Sequence, residues 1–218
     1  MKRTPPQARI ILADDHPLVL AGLSWLLSSR TGFSIVAQAG DADQVLQCLS
    51  QTPCDVLVTD FHMPADHMPD GLIMLSTIGR EYPHVRIIVL TALGNPALLA
   101  CMRQVGALGI LSKCGDLAEL PVAIATVLRG KTYLGQSVRE DMDRFDISMS
   151  TGAPPDVLSP SEIEVIRLYA SGMSVSDVAR HLHRSIKTVS THKRNAMQKL
   201  GVRTDAELCQ YATRNGLS

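Results

Sequence analysis

The chain has 218 residues, 45% of them hydrophobic and 19% charged, which excludes a disordered polyelectrolyte and suits one or two domains with buried cores. A formal charge of zero hides a division: residues 1–156 hold 12 Lys/Arg against 16 Asp/Glu (net −4), and residues 157–218 hold 9 against 5 (net +4). An acidic front and a basic tail segment suggest two jobs, with nucleic acid a candidate partner for the second.

In chain order, residues 1–7 carry Pro5-Pro6 and no pattern. Arg9–Ala13 is a short apolar strand; it is too short for a signal core and is interrupted by Asp14-Asp15. No stretch approaches the length of a membrane span, and the expected compartment is the cytoplasm. His16-Pro17 starts a helix carrying Leu18, Leu20, Leu23, Leu26 and Leu27, which Gly32 breaks. Phe33–Ala39 reads as a strand, Asp41–Leu49 as a helix and Cys54–Thr59 as a strand ending on Asp60. Gly71–Tyr82 reads as a helix, Val85–Leu90 as a strand ending on Thr91, and Pro96–Val105 as a helix. Gly109–Ser112 is a weak strand ending on Lys113, followed by a helix over Asp116–Leu128. Strands alternating with helices five times predict a doubly wound five-stranded parallel sheet with right-handed crossovers. Five cysteines (48, 54, 101, 114 and 209), odd in number and without a C-x-x-C pair, read as free thiols in a reducing compartment.

Chemistry in such sheets gathers at the carboxyl ends of the strands. Four of those ends are polar: Asp14-Asp15, Asp60, Thr91 and Lys113. Singly, each has an ordinary reading: Asp14 as a helix cap, Asp60 as a cap of the next turn, Thr91 as a turn residue, Lys113 as a solvated lysine. Jointly they fit phosphoryl transfer to a carboxylate. Clustered carboxylates need a cation, and Mg²⁺ takes oxygen ligands while keeping several waters. Asp15 and Asp60 would ligate it directly and Asp14 through water, with Asp60 as nucleophile. Lys113 would offset charge on the transferred group, and the Thr91 hydroxyl would bind one of its oxygens.

The order Asp-Asp, Asp, Thr, Lys, with Asp60-Phe61-His62-Met63-Pro64 around the third strand end, resembles the receiver domain of two-component response regulators over residues 8–130. The resemblance implies a flavodoxin-like fold, Mg²⁺, and phosphate acceptance at Asp60 from a histidine kinase or histidine phosphotransfer protein. It makes the His62 backbone carbonyl the remaining metal ligand. Ala65–Asp70 delays the usual glycine to Gly71, an apparent insertion beside the site. Ala92 keeps the small residue after Thr91, whereas Ile110 stands where a switch aromatic is expected. His62, His67 and Asp66 suggest a second metal site only faintly, since no paired helical histidines or nearby cysteines support it. They fit better as loop residues that tune the phosphorylation lifetime or the donor interface.

Residues 131–156 lose the alternation and read as a linker, with a helical stub over Ser137–Phe145 and a turn-rich stretch over Ser148–Pro155. Residues 157–218 read as a small all-α domain of four helices. Ser159 caps the first, which carries Ile163, Ile166 and Leu168; Ser174 caps the second; Ser185 starts the third, which runs to Leu200; Thr204 caps the fourth. Two helices joined by a tight turn, the second basic, describe a helix-turn-helix. On a helical wheel Ile186, Val189, Ala196 and Leu200 share a core face, opposite Lys187, Ser190, Thr191, Arg194 and Gln198. From Arg184 to Arg203 there are six Lys/Arg and no Asp/Glu. Such a face reads either as a solvated basic helix or as a major-groove reader, and the capped turn before it favours DNA.

Ser185-Ile186-Lys187-Thr188-Val189-Ser190-Thr191-His192 and Met197-Gln198-Lys199-Leu200-Gly201-Val202 resemble the LuxR-type helix-turn-helix of NarL/FixJ response regulators. The resemblance makes Ser190, Thr191 and Arg194 the base readers and Lys187, Thr188 and Lys199 the phosphate contacts on double-stranded promoter DNA. It also implies a homodimer and work alongside RNA polymerase. Lys193 departs from the usual apolar residue; it points coreward on the wheel, so its ammonium is expected to snorkel outward to a phosphate. Lys193, the long acceptor loop and Ser-Ile-Lys-Thr look closest to the Rcs-type capsule-synthesis regulators, which implies a phosphotransfer donor and heterodimers with auxiliary regulators. A phosphohydrolase is the rival from another class, but it needs a carboxylate two residues after the nucleophile, where His62 stands. A receiver serving as a phosphate-independent docking module is a third reading, which Ile110 permits. The expectation is a regulator rather than an enzyme.

Overall fold

The computed structural model describes residues 7–63, 71–92, 96–140, 142, 158–200, 202–214 and 217. The expected loop insertion with Asp66 and His67, and the Ser148–Pro155 stretch, lie outside the described residues. The chain divides into two compact units, residues 1–92 with 103–137 and residues 93–102 with 138–218.

The first unit carries β1 (Ala8–Ala13), α1 (Pro17–Ser28), β2 (Phe33–Ala39), α2 (Ala42–Gln51) and β3 (Val56–Asp60). It continues with α3 (Gly71–Glu81), β4 (Arg86–Thr91), β5 (Ala107–Ser112), α5 (Leu120–Leu128) and β6 (Tyr133–Leu134), while α4 (Pro96–Gln104) straddles the division. The sheet order is β2-β1-β3-β4-β5-β6, and every pairing is parallel. This is the flavodoxin-like arrangement with one strand more than the expected five. The addition is Tyr133–Leu134, paired to Gly109 and Ile110. Glu119 holds it there, accepting from the Tyr133 hydroxyl (2.8 Å) and from the Gln136 backbone N–H (3.2 Å).

Strands β1, β3 and β4 are buried on both faces, as their unbroken apolar runs require. Ile10, Leu12, Val56, Val58, Ile88 and Leu90 pack against Leu23 and Leu27 of α1 and against Leu120, Ala123, Ile124 and Val127 of α5. The leucines expected on α1 differ in their surroundings. Only Leu23 and Leu27 are buried, while Leu18 and Trp25 are 88% and 76% exposed. An almost wholly apolar helix gives no phase from which to tell the inner side. Pro121 leaves the first turn of the expected Asp116–Leu128 helix as a 3₁₀ turn over Leu117–Glu119.

The second unit holds α6 (Pro160–Ala170), α7 (Val175–His181), α8 (Ile186–Leu200) and α9 (Asp205–Arg214). The Ser159 hydroxyl and Glu162 carboxylate form a capping box at the start of α6. Ser174 caps α7, Ser185 Oγ accepts from Thr188 N–H (3.0 Å) at the start of α8, and Thr204 Oγ1 accepts from Glu207 N–H (3.2 Å) at the start of α9. His183 makes the turn between α7 and α8 at φ 48°, the left-handed conformation that closes a helix. Helix α8 packs on α6 and α7; Val189 and Ala196 of α8 are buried, as are Ile163 and Ile166 of α6 and Val178 of α7. The stub residues 136–140 and 142 are helical.

Gly109 lies where a methyl group would sit 2.8 Å from Ile88 Cγ1. Gly109→Ala is expected to destabilise the first unit by about 1–3 kcal/mol through this overpacking, read as a lower midpoint in urea unfolding.

Candidate functional site

Parallel pairing sets Asp60 opposite Leu90 and Thr91 opposite Ser112, so β1, β3, β4 and β5 end at one edge. Asp14, Asp60 and Thr91 are all buried there. Lys113 leaves β5 with its backbone N–H donating to Thr91 O (2.8 Å). Its side chain turns back into the edge: Nζ lies 2.7 Å from Oδ2 of Asp60 and 2.7 Å from Oδ2 of Asp14. The bond to Asp60 is a directed hydrogen bond. The ammonium also pairs with Asp14 Oδ2, which is fully buried. The other Asp60 oxygen, Oδ1, accepts from the Phe61 backbone N–H at 2.6 Å.

Burial pushes the Asp60 carboxyl above its ordinary pKa, against the pull of Lys113. For Lys113 burial works downward, but Asp14 and Asp60 outweigh it and hold the ammonium above its ordinary value. Asp15 and His16 complete the cluster. His16 Nδ1 lies 2.6 Å from Asp15 Oδ1 and 3.4 Å from Asp14 Oδ1, and the His16 backbone N–H donates to Asp14 Oδ1 (2.9 Å). Ligand atoms of Asp14, Asp15, His16 and Asp60 all lie within 4.8 Å of one another. Three carboxylates face one ammonium, a surplus of two negative charges. An oxygen-seeking divalent cation fits that surplus.

In the second unit, Arg184, Lys187, Thr191 and Arg194 are exposed, while Thr188 and Ser190 are partly so. Thr191 Oγ1 donates to Lys187 O (2.8 Å) and Thr188 Oγ1 is bonded to Ser185 Oγ (2.8 Å). Two of the expected DNA contacts are paired with acidic side chains of neighbouring helices. Lys193 Nζ lies 2.7 Å from Asp205 Oδ1 and 3.7 Å from the centre of the Tyr169 ring, and its side chain is only 13% exposed. The expected outward snorkel is therefore corrected: Asp205 of α9 and the Tyr169 ring of α6 capture the ammonium inside the unit. Lys199 Nζ lies 2.8 Å from Glu162 Oε2, the carboxylate that also closes the α6 capping box. Ile186, expected in the core, is 55% exposed.

The model of the response regulator receiver domain matches residues 10–125, and that of the bacterial regulatory proteins of the luxR family matches residues 156–212. The chain is 39% identical to the transcriptional regulatory protein RcsB of Salmonella typhi over 96% of its own length and 95% of the relative's. The chain is a LuxR-type response regulator. It is also 32% identical to the oxygen regulatory protein NreC of Staphylococcus haemolyticus, over 96% of this chain and 98% of that one. The structure of Salmonella enterica serovar Typhimurium RcsB bound to promoter P1flhDC with the phosphomimetic BeF₃⁻ superposes with a TM-score of 0.83 at 36% identity, covering 95% of this chain and 99% of that one.

Within this response regulator the strand-end residues named from the sequence meet at one edge. His16 was not among them, because His-Pro at a strand end reads as the opening of a helix. The adjacent Asp-Asp-His run was the available signal. Among the described residues no helix is long and apolar enough to cross a membrane.

Lys113→Met would leave two buried carboxylates without their cation and is expected to cost about 3 kcal/mol of unfolding free energy. Because the folded pKa of Lys113 is raised, its contribution is complete below the ordinary value of 10.5 and fades as pH climbs through the folded value. Urea titrations should therefore show a wild-type advantage that is flat around neutral pH and shrinks only in strong alkali.

Proposed function

We propose that this response regulator is a transcription factor switched by phosphorylation of Asp60. The supporting observation is the Lys113 ammonium set between Asp14 and Asp60 at the sheet's carboxyl edge. An Asp60 oxygen attacks the phosphorus of a phosphohistidine on a sensor kinase or phosphotransfer protein. The P–O bond forms as the P–N bond breaks, and the histidine leaves as neutral imidazole on taking up a proton. Asp14, Asp15, Asp60 and the His62 carbonyl would hold Mg²⁺, which offsets charge on the transferring group when bound. Before transfer, the Lys113 ammonium favours the ionised form of Asp60 against the effect of its burial. Afterwards it pairs with the phosphoryl oxygens, and the Thr91 hydroxyl binds another of them. Drawing in Thr91 and Lys113 biases the adjoining surface toward a homodimer, or toward a heterodimer with an auxiliary regulator.

The domains run over residues 8–130 (receiver), 131–156 (linker) and 157–218 (DNA-binding), and the protein works in the cytoplasm beside RNA polymerase. Helix α8 enters the major groove, with Ser190, Thr191 and Arg194 reading base edges while Lys187 and Thr188 hold phosphates. A dimer engages two half-sites, so a modest gain in dimerisation becomes a large gain in occupancy. The RcsB structures bound to promoters P1flhDC and rprA with BeF₃⁻ support this reading by similarity.

Asp60→Ala should keep its fold and lose acetyl-phosphate-induced dimerisation in analytical ultracentrifugation; a variant that dimerises like the parent would sink the mechanism. The inner and outer lysines of α8 should also separate. Lys187→Ala is expected to lower the salt slope of promoter binding by about 1, whereas Lys193→Ala leaves the slope and lowers the thermal midpoint of the second unit.

A further inference from the structure

Among the described residues, the large apolar side chain that stands exposed in the second unit is Ile186, at 55%. It is the first residue of α8. A helical Cα–Cβ bond tilts toward the helix N-terminus, so a side chain covers the turn before its own. Ile186 has no helical turn before it, because the chain arrives through His183 at φ 48°. Its side chain therefore projects off the end of α8, away from the core that Val189 and Ala196 enter. Arg184 and Lys187, on either side of it, are exposed cations. The Ser185 hydroxyl is already engaged: it accepts from Thr188 N–H (3.0 Å) and is bonded to Thr188 Oγ1 (2.8 Å). The end of α8 thus offers its surroundings an apolar group framed by two positive charges.

We propose that Ile186 is a specificity residue that packs on the C5-methyl group of a thymine in the major groove, setting a preference for thymine at one position of each half-site. The inference rests on the reading of α8 as the helix that enters the groove. A recognition helix presents its N-terminal residues to base edges. The flanking cations suit that end to the phosphates that wall the groove. Inside the groove the thymine methyl is the one apolar group among the four bases, and cytosine presents an amino donor where thymine presents a carbonyl acceptor. Isoleucine has no hydrogen-bonding atom in its side chain, so the methyl is the feature it can recognise. Ser190, Thr191 and Arg194 read by hydrogen bonds, and Ile186 adds a contact of another kind one turn nearer the helix end.

The test begins with selection by the full chain, in the presence of acetyl phosphate, from a library of random duplexes. Enriched duplexes are then remade with deoxyuridine in place of each thymidine in turn, which removes the methyl and leaves the pairing edge intact. Wild type, Ile186→Ala and Ile186→Ser are compared by fluorescence anisotropy. At one thymine of each half-site the wild type should lose about fourfold in affinity, the worth of one buried methyl group. The same uracil should leave the affinity of both variants unchanged. Both variants should also keep the wild-type thermal midpoint and salt slope, since an exposed apolar side chain supports neither the fold nor a phosphate contact. Uracil that weakens the variants as much as the wild type, no uracil that weakens the wild type, or thermal midpoints that fall in both variants would each overturn the inference while leaving groove binding intact. A full chain that enriches no sequence would overturn the groove reading itself, and the inference with it.

Discussion

One ammonium held between two buried carboxylates organises this protein. Lys113 reaches Asp14 on β1 and Asp60 on β3 from the end of β5, spanning the strand that carries Thr91. Carboxylates packed this closely repel one another and lose hydration, so their placement requires compensating positive charge. Lys113 supplies part of it, and the remaining negative charge makes the edge receptive to a divalent cation. The same surplus makes added negative charge at Asp60 hard to absorb unless the surrounding groups rearrange. A site under this tension is suited to a switch, because a change of charge at one oxygen alters which neighbours Lys113 and Thr91 can satisfy.

The second unit distributes its charge by a different rule. Its basic helix α8 does not present every cation outward. Lys193 and Lys199 bind α8 to Asp205 of α9 and Glu162 of α6, while Arg184, Lys187 and Arg194 remain exposed. The inward pair fixes the pose of the helix and the outward set faces solvent. A helix held in one pose loses less entropy on binding a partner than a mobile one.

Much of this was legible in the sequence for a physical reason. Buried parallel strands read as apolar runs, and the polar residues that end those runs therefore stand out; Asp14, Asp60, Thr91 and Lys113 were found this way. Caps were legible at Ser159, Ser174, Ser185 and Thr204 because their hydroxyls meet orphan backbone donors at fixed offsets. Strand β6 escaped because two residues carry no periodicity and its anchor, Glu119, is 14 residues before Tyr133. The coreward direction of Lys193 was legible on a helical wheel, but the wheel cannot show what another helix offers its ammonium. Asp205 and Tyr169 are distant in sequence, and only folding brings them to that ammonium. The exposed Leu18 of α1 was not legible for the opposite reason, since an apolar surplus obscures which side faces inward.

The central claim is that this one carboxylate, poised by Lys113, carries the phosphoryl group. The most direct measurement is borohydride reduction of the protein after exposure to a small-molecule phosphodonor, followed by peptide mass spectrometry. Reduction converts an aspartyl phosphate to homoserine and so marks the residue that bore it. The account predicts homoserine at position 60 and unmodified aspartate at 14 and 15. A mark at Asp14 or Asp15, or none at any of the three under conditions where promoter binding is stimulated, would contradict it.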